Sequence, residues 1–242
     1  MKIDTILSPL ELPALARRDL RATACVVFDV LRATSTFVTA LHHGAQAIIP
    51  VGEISEALEI KKRRPEFLLG GERHGVRISA DGMDFDLGNS PREFTPEKVR
   101  GKTIVSTTTN GTRALRTCAG ANLILAASFL NLAATAKFLG KSPPEELLLV
   151  CAGTGDGVAL EDVLAAGALA DLLADELSDS TEIARQTFLR MKSDLPEAIA
   201  GSRNGRRLLD IPELRADVPF CAQRDVFNLV AAMADDGRLR RV

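Results

Sequence analysis

The chain has 242 residues, and 30 Lys and Arg stand against 32 Asp and Glu, a formal charge of −2; a dedicated electrostatic binder of nucleic acid or anionic membrane needs a basic excess and is excluded. With 46% hydrophobic and 26% charged residues, intrinsic disorder is excluded as well, and a chain this long buries roughly 70–75% of its unfolded surface, enough for a full core without metal or disulfide staples. Ten Phe but no Trp and no Tyr leave little for ring stacking, so recognition of a ligand by charge and polar groups is expected.

The opening MKIDTILSPLELP has no apolar signal core, and no apolar run of about 18 residues follows, so a soluble chain without a membrane partner is expected. Val, Ile and Leu runs then predict strands over 24–29, 47–51, 67–69, 103–106, 122–127 and 147–152, and helical periods between them predict helices over 36–43, 55–64, 112–119, 132–139 and 160–177. This alternation reads as α/β, with a largely parallel or mixed sheet covered by helices and a helix-rich C-terminal part. Gly44 and Gly120 each follow a predicted helix and are expected to supply the left-handed residue that turns the chain into the next strand. Residues 71–101, dense in Gly, Pro and charge, break the pattern and read as a functional loop. The 141–146 stretch is the best place for a lobe boundary, but the chain is taken as one catalytic unit, 1–242. Cys25, Cys118, Cys151 and Cys221 form no CxxC pair, which favours reduced thiols and a cytoplasmic setting over a zinc knuckle or disulfide framework.

Polar groups gather where predicted strands end, the edge at which α/β sheets bind ligands. In ACVVFDVLRATST a strand delivers Asp29, then Arg32, Thr34, Ser35 and Thr36. A carboxylate there can bind Mg²⁺ or attack phosphorus, or it can simply hold turn amides while Thr34 or Ser35 caps the helix. In TIVSTTTNGTRAL, Thr107, Thr108, Thr109, Asn110, Gly111 and Thr112 precede a helix carrying Arg113, a setting for oxyanions that lacks the Gly-Lys-Ser/Thr of a nucleotide loop. In LLLVCAGTGDGVALEDV, Glu161 and Asp162 open a long helix, where acidic residues ordinarily complement the dipole but could also serve a metal. Around Gly70 to Arg77, Arg73-His74-Gly75-x-Arg77 imitates the opening motif of histidine phosphatases, although Ser79 stands where Pro is usual. Two other phosphatase signatures fail: Leu31 occupies the second-Asp position of haloacid dehalogenases, and Gly157 the Arg position that a Cys151 nucleophile would need. Cys151 itself reads as a buried, inert thiol.

Taken in order, FDVLRATST, LGGERHG, LGNSP, STTTNGTRAL, ASFLN, CAGT and ALEDVLAAG closely resemble the 2-phosphosulfolactate phosphatase family, with similarity reaching the 217–225 segment DVPFCAQRD. The resemblance implies an α/β hydrolase that uses Mg²⁺ to release phosphate from (2R)-2-phospho-3-sulfolactate, a step of coenzyme M biosynthesis in methanogens. That substrate carries about four negative charges. Arg32, Arg73 and Arg113 are then the expected catalytic cations beside Asp29. Asp29, Glu161 and Asp162 become the expected metal ligands, with Asp29 as nucleophile the alternative. Thr34, Ser35, Asn89, Ser90 and the 107–112 loop, whose amides would hold phosphoryl oxygens, are the expected substrate contacts. A homodimer is compatible with a small enzyme of this class. A histidine-type phosphatase using His74, or a non-catalytic protein that binds small anions, remains the alternative.

Overall fold

The computed structural model describes residues 1–73, 75–80, 82–173 and 176–242. Strands and helices follow in the order β1 Lys2–Ile6, α1 Leu12–Leu15, β2 Thr23–Phe28, α2 Ala33–His42, β3 Ala47–Pro50, α3 Ile54–Arg63, β4 Leu68–Arg73, β5 Val76–Arg77, β6 Ser79–Ala80, β7 Met83–Asp84, α4 Pro96–Val99, β8 Thr103–Thr107, α5 Gly111–Thr117, β9 Leu123–Ala127, α6 Leu132–Lys141, β10 Glu146–Cys151, α7 Leu160–Leu173, β11 Glu176–Leu177, α8 Asp179–Met191, α9 Leu195–Ala200, α10 Arg203–Leu209, α11 Asp217–Cys221, β12 Ala231–Met233 and β13 Leu239–Arg241. The fold is α/β, as expected, around one mixed sheet of order β11-β1-β10-β2-β9-β12-β13-β3-β8-β4-β5.

Two parallel blocks make up this sheet. In one, β1 and β2 flank β10 in parallel and β9 extends the ladder from β2; in the other, β3, β8 and β4 pair in parallel. The β12–β13 hairpin joins them with antiparallel pairings to β9 on one side and β3 on the other. Along the ladder the second block therefore runs opposite to the first. The five pairings from β2 to β8 accumulate a twist of about 100–125°, and the sheet wraps a core that includes Phe37 of α2 and Ala114 and Leu115 of α5. This wrapping brings the carboxyl ends of both blocks to one crevice.

Side-chain alternation explains why the strands read as continuously apolar. On β2, Cys25 and Val27 face α2 and α5, whereas Ala24, Val26 and Phe28 face α7. Every β2 residue is buried. In the second block, Leu69 and Val105 pack under Ala57 and Leu58 of α3.

Several expectations change. Residues beyond 160 are mostly helical, as expected, but they also supply the β12–β13 hairpin that fills the middle of the sheet. The helix predicted over 160–177 stops at Leu173 and gives way to β11, and β1 is an additional interior strand. Gly44 adopts the left-handed turn (φ 91°), but Gly120 has no positive φ, since that helix already ends at Cys118. Residues 142–145 form the turn from α6 into β10. All four cysteines are buried and free. No helix among the described residues is long and apolar enough to cross a membrane.

Candidate active site

Asp29 leaves β2 into the first turn of α2 and is held there by the sequence that follows it. Its Oδ1 accepts the Ala33 amide at 3.0 Å, and its carbonyl accepts both the amide and the hydroxyl of Thr34 at 2.9 Å. The Thr34 hydroxyl oxygen accepts the Asp29 amide in turn, so α2 starts three residues before the predicted position. The Ser35 hydroxyl donates to the Val30 carbonyl and serves the turn, not a ligand. With Oδ1 occupied, Oδ2 faces a cavity of about 270 Å³ at the sheet's carboxyl edge.

The floor of that cavity is acidic. Glu72, at the end of β4, accepts the Thr109 amide and hydroxyl on Oε1 and the Gly75 amide on Oε2. Behind the lining residue Asn204 lies Glu161, at the start of α7, which accepts Asn204 Nδ2 on Oε1 at 2.6 Å, while its Oε2 is buried without a partner among the described residues. Asp162 is committed elsewhere: its two oxygens accept the amides of Val30 (2.8 Å) and Gly153 (3.0 Å), clamping the exits of β2 and β10 together. Burial raises the Asp29 carboxyl to about 7, opposed by the Ala33 amide and reinforced by Glu72 and Glu161. Asp162 is pushed well above its ordinary value by burial and by Glu161 and Asp29.

The expected metal ligands thus separate. Asp29 and Glu161 each offer an oxygen without a donor among the described residues and fit a divalent cation, whereas both oxygens of Asp162 are taken by backbone amides. No group of three or more His, Cys, Asp or Glu side chains among the described residues could hold a metal ion by itself. Mg²⁺ characteristically binds through one or two carboxylates, water and substrate phosphate.

The 107–112 loop comes to Asp29 edge on. A Cβ on Gly111 would lie 2.6 Å from the Ala33 Cβ and 2.7 Å from Asp29 Oδ2, so only glycine permits this approach. Asn110 Nδ2 ties the loop to the carbonyls of Ala152 and Gly155. Thr108 and Thr112 exchange side-chain and backbone hydrogen bonds with each other, and the Thr109 amide belongs to Glu72, so these amides are already taken. Thr109, Asn110 and Asn89 line the cavity; Thr107 and Ser90 do not, their hydroxyls donating to the Gly52 carbonyl and to Asp217.

The three expected arginines also part company. Arg32 lines the cavity and is anchored by Asp217 at 2.8 Å and by the Gly75 carbonyl at 3.2 Å, a buried ion pair with both side chains 3% exposed or less. Arg73 turns away to the Gly52 carbonyl and Thr107, and Arg113 reaches the Pro9 carbonyl. Both border a neighbouring cleft with Arg116. In their place, Arg203 and Arg207 of α10 stand at the cavity mouth. Their signal was legible: Ser202, whose hydroxyl caps the helix, precedes two arginines four residues apart, on one helix face. His74 lies outside the described residues. Cys151 is fully buried, and its thiol is pushed well above its ordinary range, first by burial and then by the carboxylates around it.

The chain is similar to known proteins over nearly its whole length. The family model described as 2-phosphosulpholactate phosphatase matches residues 10–236. A protein of Caldanaerobacter subterraneus subsp. tengcongensis named "Probable 2-phosphosulfolactate phosphatase" is 40% identical over 88% of each chain. One of the same name from Thermotoga petrophila is 44% identical over 87% of this chain and 88% of its own, and another from Carboxydothermus hydrogenoformans is 38% identical over 99% and 96%. The matched range spans every residue of the cavity lining, and the chain belongs to the 2-phosphosulpholactate phosphatase family.

Proposed function

We propose that this protein hydrolyses (2R)-2-phospho-3-sulfolactate to 3-sulfolactate and phosphate with the help of Mg²⁺. The observation that carries the reading is a pair of oxygens without a donor among the described residues, Asp29 Oδ2 in the cavity lining and Glu161 Oε2 buried behind the lining residue Asn204, in a cavity with arginines at its mouth. A substrate with about four negative charges would be repelled by Asp29, Glu72 and Glu161 unless a cation lies between them. Asp29 is therefore assigned to the cation and water to phosphorus.

Asp29 and Glu161 would hold Mg²⁺, which when bound neutralises phosphoryl charge. The chain's own work is positioning. Glu72 fixes Thr109 against the cavity, Asn110 pins its loop to the strand ends, and the Asp162 clamp holds the exits of β2 and β10 in register. Arg32, oriented by Asp217, presents positive charge beside Asp29. In the reaction a water oxygen bonds to phosphorus, the bond from phosphorus to the carbon-2 oxygen breaks, and that oxygen takes up a proton to become the hydroxyl of sulfolactate. A cytoplasmic setting and a place in coenzyme M biosynthesis belong to the same reading.

The test is phosphate release from phosphosulfolactate with Mg²⁺ and with EDTA, beside unrelated phosphate esters. Turnover of phosphosulfolactate that EDTA abolishes is expected; activity confined to an unrelated ester, or undiminished in EDTA, overturns the proposal. A single turnover in ¹⁸O-labelled water should put the label into phosphate and none into the protein. A phospho-aspartyl enzyme would transfer Asp29 to the nucleophile's role.

A further inference from the structure

We infer that Arg203 and Arg207 form a clamp for the sulfonate of the substrate and set the enzyme's preference for a sulfonated arm at carbon 3. This rests on the phosphatase reading above and assigns the specificity of the same cavity.

Both arginines lie on α10, four residues apart and so on one face of the helix. Both are exposed and line the cavity, and neither guanidinium makes a hydrogen bond or ion pair to another described residue. They differ in this from every other arginine considered for the site. Arg32 is bound to Asp217, Arg73 to Gly52 and Thr107, and Arg113 to Pro9. Like charges at this spacing repel, a cost that an anion between them would reverse.

The helix that carries them is fixed with respect to the reacting end. Asn204, between the two arginines, donates to Glu161 Oε1 at 2.6 Å and to Thr154 Oγ1 at 2.5 Å, and the Ser202 hydroxyl accepts the Gly205 amide. A Cβ on Gly205 would lie 2.0 Å from the Ile199 carbonyl oxygen, so α10 packs against α9 as closely as backbone allows. The two guanidiniums reach different neighbours. Arg207 Nη2 is 3.7 Å from where a Cβ on Gly75 would be, and Arg203 Nη1 is 3.6 Å from the same point on Gly157. Gly75 is hydrogen-bonded to Glu72 and Arg32, whereas Gly157 closes the 153–157 loop by pairing with Thr154.

Substrate orientation follows from charge. The acidic floor takes the phosphoryl group with its cation, so the rest of the molecule points to the mouth. A sulfonate offers three oxygens in a tetrahedral arrangement and stays ionised at any physiological pH, so it can accept two guanidinium forks arriving from different directions. A planar carboxylate is satisfied by one fork.

Three substrates test the assignment: phosphosulfolactate, 2-phospholactate, which lacks the sulfonate, and 2-phosphooxypropane-1-sulfonate, which lacks the carboxylate. Each is assayed with the unaltered protein and with the double variant Arg203→Ala/Arg207→Ala. The unaltered protein should favour phosphosulfolactate over 2-phospholactate in kcat/KM by more than about tenfold. In the double variant that ratio should collapse toward one, while the ratio between the two sulfonated substrates stays as it was. Misfolding would lower all three rates together and leave the ratios unmoved. A double variant that keeps the preference over 2-phospholactate overturns the clamp while leaving the phosphatase intact, as does an unaltered protein that shows no such preference. A change confined to the ratio between the sulfonated substrates would give the arginines to the carboxylate and overturn the assignment. No turnover of any of the three by the unaltered protein would remove the phosphatase reading itself.

Discussion

Replacing Asp29 by Asn should stabilise the metal-free protein at neutral and higher pH. Asp29 is buried beside Glu72 and Glu161, and its carboxyl is raised from 3.8 to about 7. Between those values the folded state keeps a proton that the unfolded chain has lost, so stability falls as pH rises through the window, and the loss is complete once the folded carboxyl ionises. A rise from 3.8 to about 7 corresponds to about 4 kcal/mol. Asn is neutral throughout, its oxygen can still accept the Ala33 amide, and its amino group would face the cavity where Oδ2 now lies. Urea unfolding from pH 4 to 8 in EDTA is the appropriate measurement. The variant should gain between about 1 and 4 kcal/mol on the parent at pH 8 and nothing at pH 4. Mg²⁺ at pH 8 should then raise the parent's midpoint and leave the variant's nearly unchanged. Parallel stability curves for the two proteins across this range would refute the electrostatic account of the floor.

Other consequences can be measured directly. Gly111→Ala puts a methyl group against Asp29 Oδ2 and Ala33; phosphatase turnover should fall by more than about tenfold, and a parent-like rate would show that the loop yields without cost. Asp217→Ala strands the buried Arg32 guanidinium and should cost about 3–5 kcal/mol in urea unfolding. Cys151→Ser should keep phosphatase activity, and the parent should resist iodoacetamide while folded, because the thiol is buried and protonated; loss of activity in a folded variant would give this thiol a chemical role.

How far the site could be read in advance depended on whether chemistry followed directly from a strand end. The Asp29 junction was legible because an apolar run, a carboxylate and a hydroxyl cap lie within a dozen residues. Arg73 was misplaced because neighbours on a strand point to opposite faces: Glu72 enters the cavity, so Arg73 must leave it. Arg113 follows the same logic on a helix, where two residues beyond Gly111 is about 200° around the axis, away from Asp29. Asp162 and Glu161 look equivalent in sequence, and only the amides of Val30 and Gly153 separate clamp from open ligand. The β12–β13 hairpin carried a local signal in Asp235-Asp236-Gly237, but its strands are only three residues long. Their place in the middle of the sheet comes from tertiary pairing, which local pattern does not encode.

That hairpin has a consequence for how the protein is made. Until residues 231–241 have been synthesised, β9 and β3 each present an unpaired edge to the cell, and those edges carry buried core residues such as Ala126 and Ile48. Open edges of this kind invite pairing with other chains. The keystone of the sheet thus arrives after the blocks it joins, so a ribosome stalled before residue 231 would hold a sticky intermediate, and chaperone demand should fall once the hairpin has been made.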